Sequence, residues 1–440
     1  MMDFSSVAVG ISSIVAIILF IYAGAHIAVA LGIISFVGVL FLKGNLDVAL
    51  NLLSLAMADS VSDETFATVP LFVMMGLVVS RCGLGRDVYE FGNDVFRGLR
   101  GGLGIATVAA NAIFAAVTGS SIASASVFSK VAIPEMIRYQ YGRRFAVGIV
   151  AGSSVLGMII PPSVMLIIYA VVTEQSVGAM FLAGVLPGIL LAVAFCASIM
   201  VMAIVAPKFV GGVVSTQARS SLSQLGRDAF TKLGPVALLV GVVLGGIYGG
   251  ILTPVESGAA GTVAAAILGA IKGRLNTKAI WGALVDTGHI TANILFLIIA
   301  ASIYSRMLGI AGLPTMFGEW LNAIQMSYAG FMALYVLLLL MLGTIIDTAS
   351  IILIVVPLFL PALEPFGINL IWFGIITVVG AEIGLLTPPF GISCFVIKAT
   401  IDDPNITLND VFMGALPFAA VMLGVLVLLI VFPQISLALL

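Results

Sequence analysis

The chain has 440 residues, of which 61% are hydrophobic and only 9% charged, with a net charge of −2 and a mean hydropathy of +1.26. A soluble chain of this length carries on the order of 110 charged residues; this one has 18 basic and 20 acidic, too few to cover a water-facing surface, so lipid replaces much of the solvent. The near-neutral balance argues against nucleic acid. Cys82, Cys196 and Cys394 lie scattered in apolar runs and form no disulfide framework, and His26 and His289 build no zinc site with them. The fold class is an all-α polytopic membrane protein.

At the N-terminus, Asp3 and the absence of Lys or Arg before the apolar run leave no basic n-region, so the first segment is expected to be a retained helix. Apolar stretches near the roughly 20 residues needed to cross a bilayer fall near 7–25, 27–42, 66–80, 145–172, 178–206, 234–250, 256–271, 280–307, 368–398 and 411–432. Two more, 103–135 and 328–362, are interrupted at their middles by small, polar or proline residues.

Basic residues cluster in four loops: Arg81, Arg86, Arg97 and Arg100; Arg138, Arg143 and Arg144; Lys208, Arg219, Arg227 and Lys232; Lys272, Arg274 and Lys278. The positive-inside rule places all four in the cytoplasm. Region 103–135 then has cytoplasmic loops on both sides, so it is expected to enter and leave on one side as a re-entrant hairpin. Asp402, Asp403 and Asp410 fall in a loop that this topology also puts in the cytoplasm; acids contribute little to topology, and nearby Lys398 agrees.

Region 328–362 repeats the pattern. Gly119-Ser-Ser-Ile-Ala-Ser-Ala-Ser126 aligns with Gly343-Thr-Ile-Ile-Asp-Thr-Ala-Ser350, Gly157-Met-Ile-Ile-Pro-Pro162 with Gly384-Leu-Leu-Thr-Pro-Pro389, and Gly184-Val-Leu-Pro187 with Gly414-Ala-Leu-Pro417. Threading the orientation forward puts the second hairpin at the periplasmic face, which makes the repeat inverted, an architecture of secondary transporters with a midplane site. The expected organisation is a first repeat over 1–209, a polar cytoplasmic connector over 210–233 and a second repeat over 234–440.

A backbone that stops being helical inside a membrane must have its freed groups satisfied by protein, water or an ion. Pro161-Pro162 and Pro388-Pro389 remove amide donors and expose carbonyls, and hydroxyl-rich tips add further neutral oxygens. Two such pockets suit two monovalent cation sites, with Na⁺ the expected ion. Amides at the tips favour an anionic substrate group, with Ser120, Ser121, Thr344, Asp347 and Thr348 as candidate contacts. Small residues in membrane helices more often serve close packing; the duplicated, inverted pairing is what favours binding here.

Three acids lie in or beside apolar segments. Asp347 fits a cation ligand, a tip-orienting group or a proton carrier. Glu256 follows Thr253-Pro254 and suits a helix N-terminus. Glu382 fits either a site role or a buried hydrogen bond. No zinc-protease, phosphate-loop or nucleophile-elbow motif is present, so an enzyme is not expected.

These motifs, together with Phe-Leu-Ala-Gly-Val-Leu-Pro-Gly from 181 and Leu-Thr-Pro-Val-Glu-Ser from 252, resemble the large membrane subunit of a tripartite ATP-independent periplasmic (TRAP) transporter over nearly the whole chain. The resemblance implies a scaffold and a mobile, elevator-type transport domain in a bacterial or archaeal cytoplasmic membrane. It also implies Na⁺-driven uptake of organic acids, a small four-helix membrane subunit and a periplasmic substrate-binding protein. Carried over by motif, the first sodium site uses Ser121, Ser124, Gly157, Ile160 and Pro162. The second uses Gly343, Thr344, Gly384, Thr387 and Phe390. Gln140-Tyr141, where the family commonly has Gly-Tyr, and Phe390 depart from the pattern; the first lies in a cytoplasmic turn and the second leaves its carbonyl available. The alternative is a proton-coupled organic-anion transporter working without a binding protein, for which Asp347 and Glu382 are the candidate carriers.

Overall fold

A computed structural model describes residues 4–62, 64–96, 98–212, 222–401 and 403–440; Asp3, Arg97, Asp402, Arg219 and the stretch 213–221 of the expected connector lie outside the described residues. The described chain is helical, with an isolated bridge between Tyr141 and Gly211 as its recorded strand-like pairing. Among the described residues, seven helices are long and apolar enough to cross a bilayer, and an eighth is formed by Arg143–Ile159 with Val164–Val172, bent by 43° at their break.

Both interrupted regions are helical hairpins. The first has arms Gly102–Thr118 and Ser121–Arg138. Gly119 closes the first arm in the left-handed region, at φ 58°, where a side chain would be strained. The arms of the second are Tyr328–Gly343 and Thr348–Leu363. The base of each hairpin is drawn together: the Leu103 amide reaches Tyr141 Oη at 3.5 Å, and Phe331 stacks on Phe366 with centroids 5.0 Å apart.

The two Pro-Pro motifs break the helices that follow. Arg143–Ser154 and Leu156–Ile159 stop before Pro161-Pro162, and Val164–Val172 resumes after it. Leu370–Gly384 stops before Pro388-Pro389, and Ile392–Thr400 follows. Position 368–398 is therefore a broken element and not one continuous span, because two successive prolines withdraw two ladder amides. The halves interlock: Val164–Val172 packs on the second hairpin arm Thr348–Leu363, and Ile392–Thr400 packs on the first hairpin arm Ser121–Arg138. Arg143–Ser154 also lies against Leu408–Val431, so close that a Cβ on Gly148 would sit 2.0 Å from the Gly414 carbonyl oxygen.

The basic loops converge at one end. Asp87, in the helix Leu84–Phe96 and 5% exposed, accepts from Lys272 Nζ at 2.5 Å and from Arg274 Nη1 at 2.9 Å. Lys232 reaches Glu90 at 3.5 Å. The Gly142 amide donates to the Val210 carbonyl at 3.0 Å. Arg144 holds Asp410 at 2.7 Å, so the acidic turn lies at the same end as the basic clusters. Lys272 and Arg274 thus tie the turn after Ile271 to the helix Leu84–Phe96 through one buried carboxylate.

Other differences from the sequence expectation have local causes. Leu46–Ser62 is a helix outside the expected apolar stretches, because Asp47, Asn51 and Asp59 lower its hydropathy. Thr277–Ala311 runs 35 residues, beyond the expected 280–307 at both ends, and starts under an Asn276 cap to the Ala279 amide. The connector is helical from Leu222 into the span ending at Tyr248.

Replacing Asp87 by Ala leaves Lys272 and Arg274 without their acceptor and should destabilise the protein by about 2–3 kcal/mol, the modest end for a buried pair because Arg274 is partly exposed. A several-degree fall in the melting temperature of detergent-purified protein is the expected reading; an unchanged melting curve would show that the clasp is dispensable.

Candidate cation and substrate site

The first hairpin tip and the first break are in direct contact. The Gly119 carbonyl accepts the Val164 amide at 3.4 Å, just past the two prolines. A Cβ on Gly119 would lie 2.6 Å from the Pro162 carbonyl oxygen, and one on Gly157 would lie 2.8 Å from that of Ser120. Only glycine permits these approaches, which bring Gly157, Pro162, Ser120 and Ser121 together. The break leaves acceptors behind: the carbonyls of Gly157 and Met158 face positions 161 and 162, where proline has no amide to give. Ser163 Oγ takes the Met158 carbonyl at 2.5 Å. Ile160 leaves the helical region at ψ 124° with its amide still on the Leu156 carbonyl.

Into this place come two hydroxyls with nothing to bond. Ser121 and Ser124 are both 0% exposed, and the Oγ of each lacks a hydrogen-bond partner. They stand one turn apart on the arm Ser121–Arg138. Burying an unbonded hydroxyl is unfavourable by about 1–3 kcal/mol, so two at adjacent turns beside a proline-broken helix fit a bound species that supplies the missing contact. Ser120 is engaged as the helix cap, accepting the Ala123 amide at 3.3 Å.

The second tip meets the second break in the same way. A Cβ on Gly343 would lie 2.8 Å from Gly384 Cα, and one on Gly384 would lie 2.4 Å from Gly343 Cα. Its polar groups, however, are bonded internally. Thr344 Oγ1 donates to the Met341 carbonyl at 2.8 Å. The Gly384 carbonyl accepts both from the Thr387 amide at 3.0 Å and from Thr387 Oγ1 at 2.9 Å. Pro388, Pro389 and Phe390 are exposed, Phe390 by 48%, whereas Pro161 and Pro162 are buried.

Asp347 caps the arm Thr348–Leu363, accepting from the Ser350 amide at 3.3 Å and from Ser350 Oγ at 2.5 Å, so tip orientation is the role its contacts display. Thr348 donates to Glu382 Oε1 at 2.7 Å. Glu382 is wholly buried and its Oε2 has no partner. Glu256 forms a reciprocal capping box with Thr253, the structural role its position suggests. No cluster of three or more acidic, histidine or cysteine ligands occurs among the described residues, leaving hydroxyls and carbonyls as the oxygen donors.

Two further buried polar groups were not singled out by sequence. Asn111, the one amide side chain in the arm Gly102–Thr118, donates to Ser153 Oγ at 2.7 Å and leaves its Oδ1 unpartnered. Ser393, just past the second break, has a buried Oγ without a partner. An amide inside an apolar arm was the available signal for Asn111; Ser393 had none.

The family profile described as "Tripartite ATP-independent periplasmic transporter, DctM component" matches residues 14–435. The chain belongs to this family. It is 33% identical over 388 residues to the C4-dicarboxylate TRAP transporter large permease protein DctM of Pseudomonas aeruginosa, covering 88% of each chain. To the sialic acid TRAP transporter large permease protein SiaM of Vibrio cholerae it is 31% identical over 409 residues, covering 92% of each. Among solved structures, the fold is similar to the Alcanivorax borkumensis YdaH transporter, with a TM-score of 0.63 at 17% identity over 89% of this chain and 90% of that one. The protein is accordingly a multi-pass inner-membrane permease of the TRAP class, whose large subunit works with a periplasmic binding protein in organic-acid import.

Because Ser121 and Ser124 bond nothing in the protein, Ser→Ala at either should leave the melting temperature unchanged or raise it, whereas Ser120→Ala should lower stability by about 1 kcal/mol through the lost cap. Thermal unfolding of the three purified variants in Na⁺-free buffer checks the ordering; a large loss at Ser121 would mean that its hydroxyl has a structural partner.

Proposed function

We propose that this permease is a sodium-coupled importer of an organic acid delivered by a periplasmic binding protein, working as an elevator with a small four-helix membrane subunit. The observation that carries the reading is the pair of buried, unpartnered hydroxyls of Ser121 and Ser124 against the Gly157–Pro162 break. A hard monovalent cation takes such neutral oxygens, and the carbonyls of Gly157, Ile160 and Pro162 complete the first site. The second site uses Gly343, Thr344, Gly384, Thr387 and Phe390. The Thr344 and Thr387 hydroxyls donate their protons to carbonyls yet keep oxygen lone pairs for a cation. Cation binding there replaces the two Thr387 bonds on the Gly384 carbonyl.

Two placements support an inverted arrangement of the hairpins. Both ends of the first hairpin lie with the basic loops. The outer part of the second hairpin, Pro357 and Pro361, borders the same cavity as Glu174, which follows the helix leading away from Arg143. In this reading the tips approach each other from opposite faces, and the substrate's acidic group sits between them against Ser120, Ser121, Thr344, Asp347 and Thr348. Cations on either side of the tips lower the energy of an anion held between them, which is the physical content of symport: the anion binds well only when the cations are in place.

Transport is tested in proteoliposomes holding both membrane subunits and supplied with the binding protein. An inward Na⁺ gradient should drive uptake, an equal K⁺ gradient should not, and Ser121→Ala should lower the apparent Na⁺ affinity about tenfold, or about 1.4 kcal/mol. Uptake of equal rate in K⁺ would exclude sodium coupling.

The unpartnered Oε2 of Glu382 favours a second reading, proton coupling in place of sodium coupling; the binding-protein-free form of that alternative does not agree with membership of the TRAP family. Under that reading Glu382→Gln or Asp347→Asn removes the pH dependence of uptake; if both variants keep it, neither carries the proton.

A further inference from the structure

A cavity of about 580 Å³ opens between the long helix Thr277–Ala311 and the second hairpin arm Thr348–Leu363. One wall carries Ser302, Ser305 and Arg306, which share a face of the long helix at i, i+3 and i+4 spacing. The opposite wall is apolar, with Leu353, Pro357, Leu360 and Pro361 of the arm. Arg306 is the only basic residue on the lining and is one of four in the whole chain outside the loop clusters. It lies five residues before the end of the helix. A cation placed within a membrane helix is costly unless paired or functional.

Arg306 is paired, but with an exchangeable partner. Its Nη2 bonds Asp59 Oδ2, and Asp59, at the edge of the cavity, has 61% of its side chain exposed against 33% for Arg306. An ion pair so open to solvent contributes little to stability, typically under about 1 kcal/mol, so stability alone gives no reason to keep an arginine there. The pair puts a carboxylate on a guanidinium that lines the cavity, in the position that a ligand's carboxylate would take. Two serine hydroxyls on the same helix face can bond the rest of an acid group.

The cavity also leads toward the tips. Leu353 lies five residues, about 7.5 Å along the helix axis, from Thr348, the residue that opens the arm at the tip. A ligand held at Arg306 therefore already touches the element whose other end forms the substrate site.

We propose that Arg306 is the entry site for the substrate's anionic group and that Asp59 is its internal counter-ion, displaced when the acid arrives; this rests on the organic-acid transport reading given above. Asp59 and the rim residue Glu174 leave the cavity net acidic when it is empty. An arriving anion is consequently held only while it replaces Asp59 on the guanidinium. Such a contact is short-lived, which suits a hand-off and not storage. The chemistry selects for a carboxylate or another oxyanion able to take two guanidinium hydrogens.

The test uses the full complex in proteoliposomes with its binding protein and a Na⁺ gradient, with radiolabelled succinate and N-acetylneuraminate as probes. Arg306→Gln should raise KM about tenfold while leaving the maximal rate within about twofold, consistent with one lost charge-assisted contact. Arg306→Lys should fall between the two. Asp59→Asn, which frees the guanidinium, should lower KM or leave it unchanged. A purely structural ion pair predicts the opposite pattern: Arg306→Gln and Asp59→Asn impair transport alike, together with complex assembly on size-exclusion chromatography. That result, or a wild-type KM in Arg306→Gln, overturns the inference while leaving the transport reading intact. Failure of the wild-type complex to take up either acid removes the transport reading, and the inference with it.

Discussion

A peptide carbonyl buried in an apolar interior needs a donor, and proline cannot supply one. The organisation of both halves of this permease follows from that constraint. At Pro161-Pro162 and Pro388-Pro389 the helices must stop, and acceptors that would have been consumed by the ladder are released where water is scarce. The protein answers by bringing up a hairpin tip. Gly157 and Gly384 lack side chains because the tips come within van der Waals distance of their backbones, and the tips carry hydroxyls, cap residues and small side chains in place of a helical face. Break and tip are one unit in each half, and neither has a physical explanation without the other.

The two units are not in the same condition. At the first, the prolines are buried and two serine hydroxyls stand unbonded. At the second, Thr344 and Thr387 have closed their bonds onto nearby carbonyls, and the proline pair faces outward. A repeat in sequence has thus become an inequality in structure. Two units of related composition differ in which of their oxygens are bonded within the protein.

Much of this was legible from residues alone, because it rests on local chemistry. Gly-x-x-x-Pro-Pro announces a break wherever it occurs in an apolar run, and Gly119 and Gly343 mark tips through the small residues that follow them. The interrupted regions 103–135 and 328–362 each fall on two successive helices, Gly102–Thr118 with Ser121–Arg138 and Tyr328–Gly343 with Thr348–Leu363. What sequence could not show is where a hydroxyl's partner lies. Ser121 and Thr387 look alike as candidates, yet one is orphaned and the other is bonded to Gly384. The pairing of Thr348 with Glu382, 34 residues apart, depends on how an arm packs against a later helix. Leu46–Ser62 escaped notice because its acids and amide lower its hydropathy without breaking its helix, and it supplies the Asp59 that meets Arg306.

The interlocking of the halves has a mechanical meaning. Each helix that resumes after a proline break lies on the hairpin of the other half. A displacement of one tip therefore pushes on the helix descending from the opposite break, and the two pockets have no independent degree of freedom along that direction. Packing of this kind ties the two tip-and-break units to each other through the helices that resume after the prolines. A change of packing at one unit is therefore felt at the other through direct contact, before any ligand is counted.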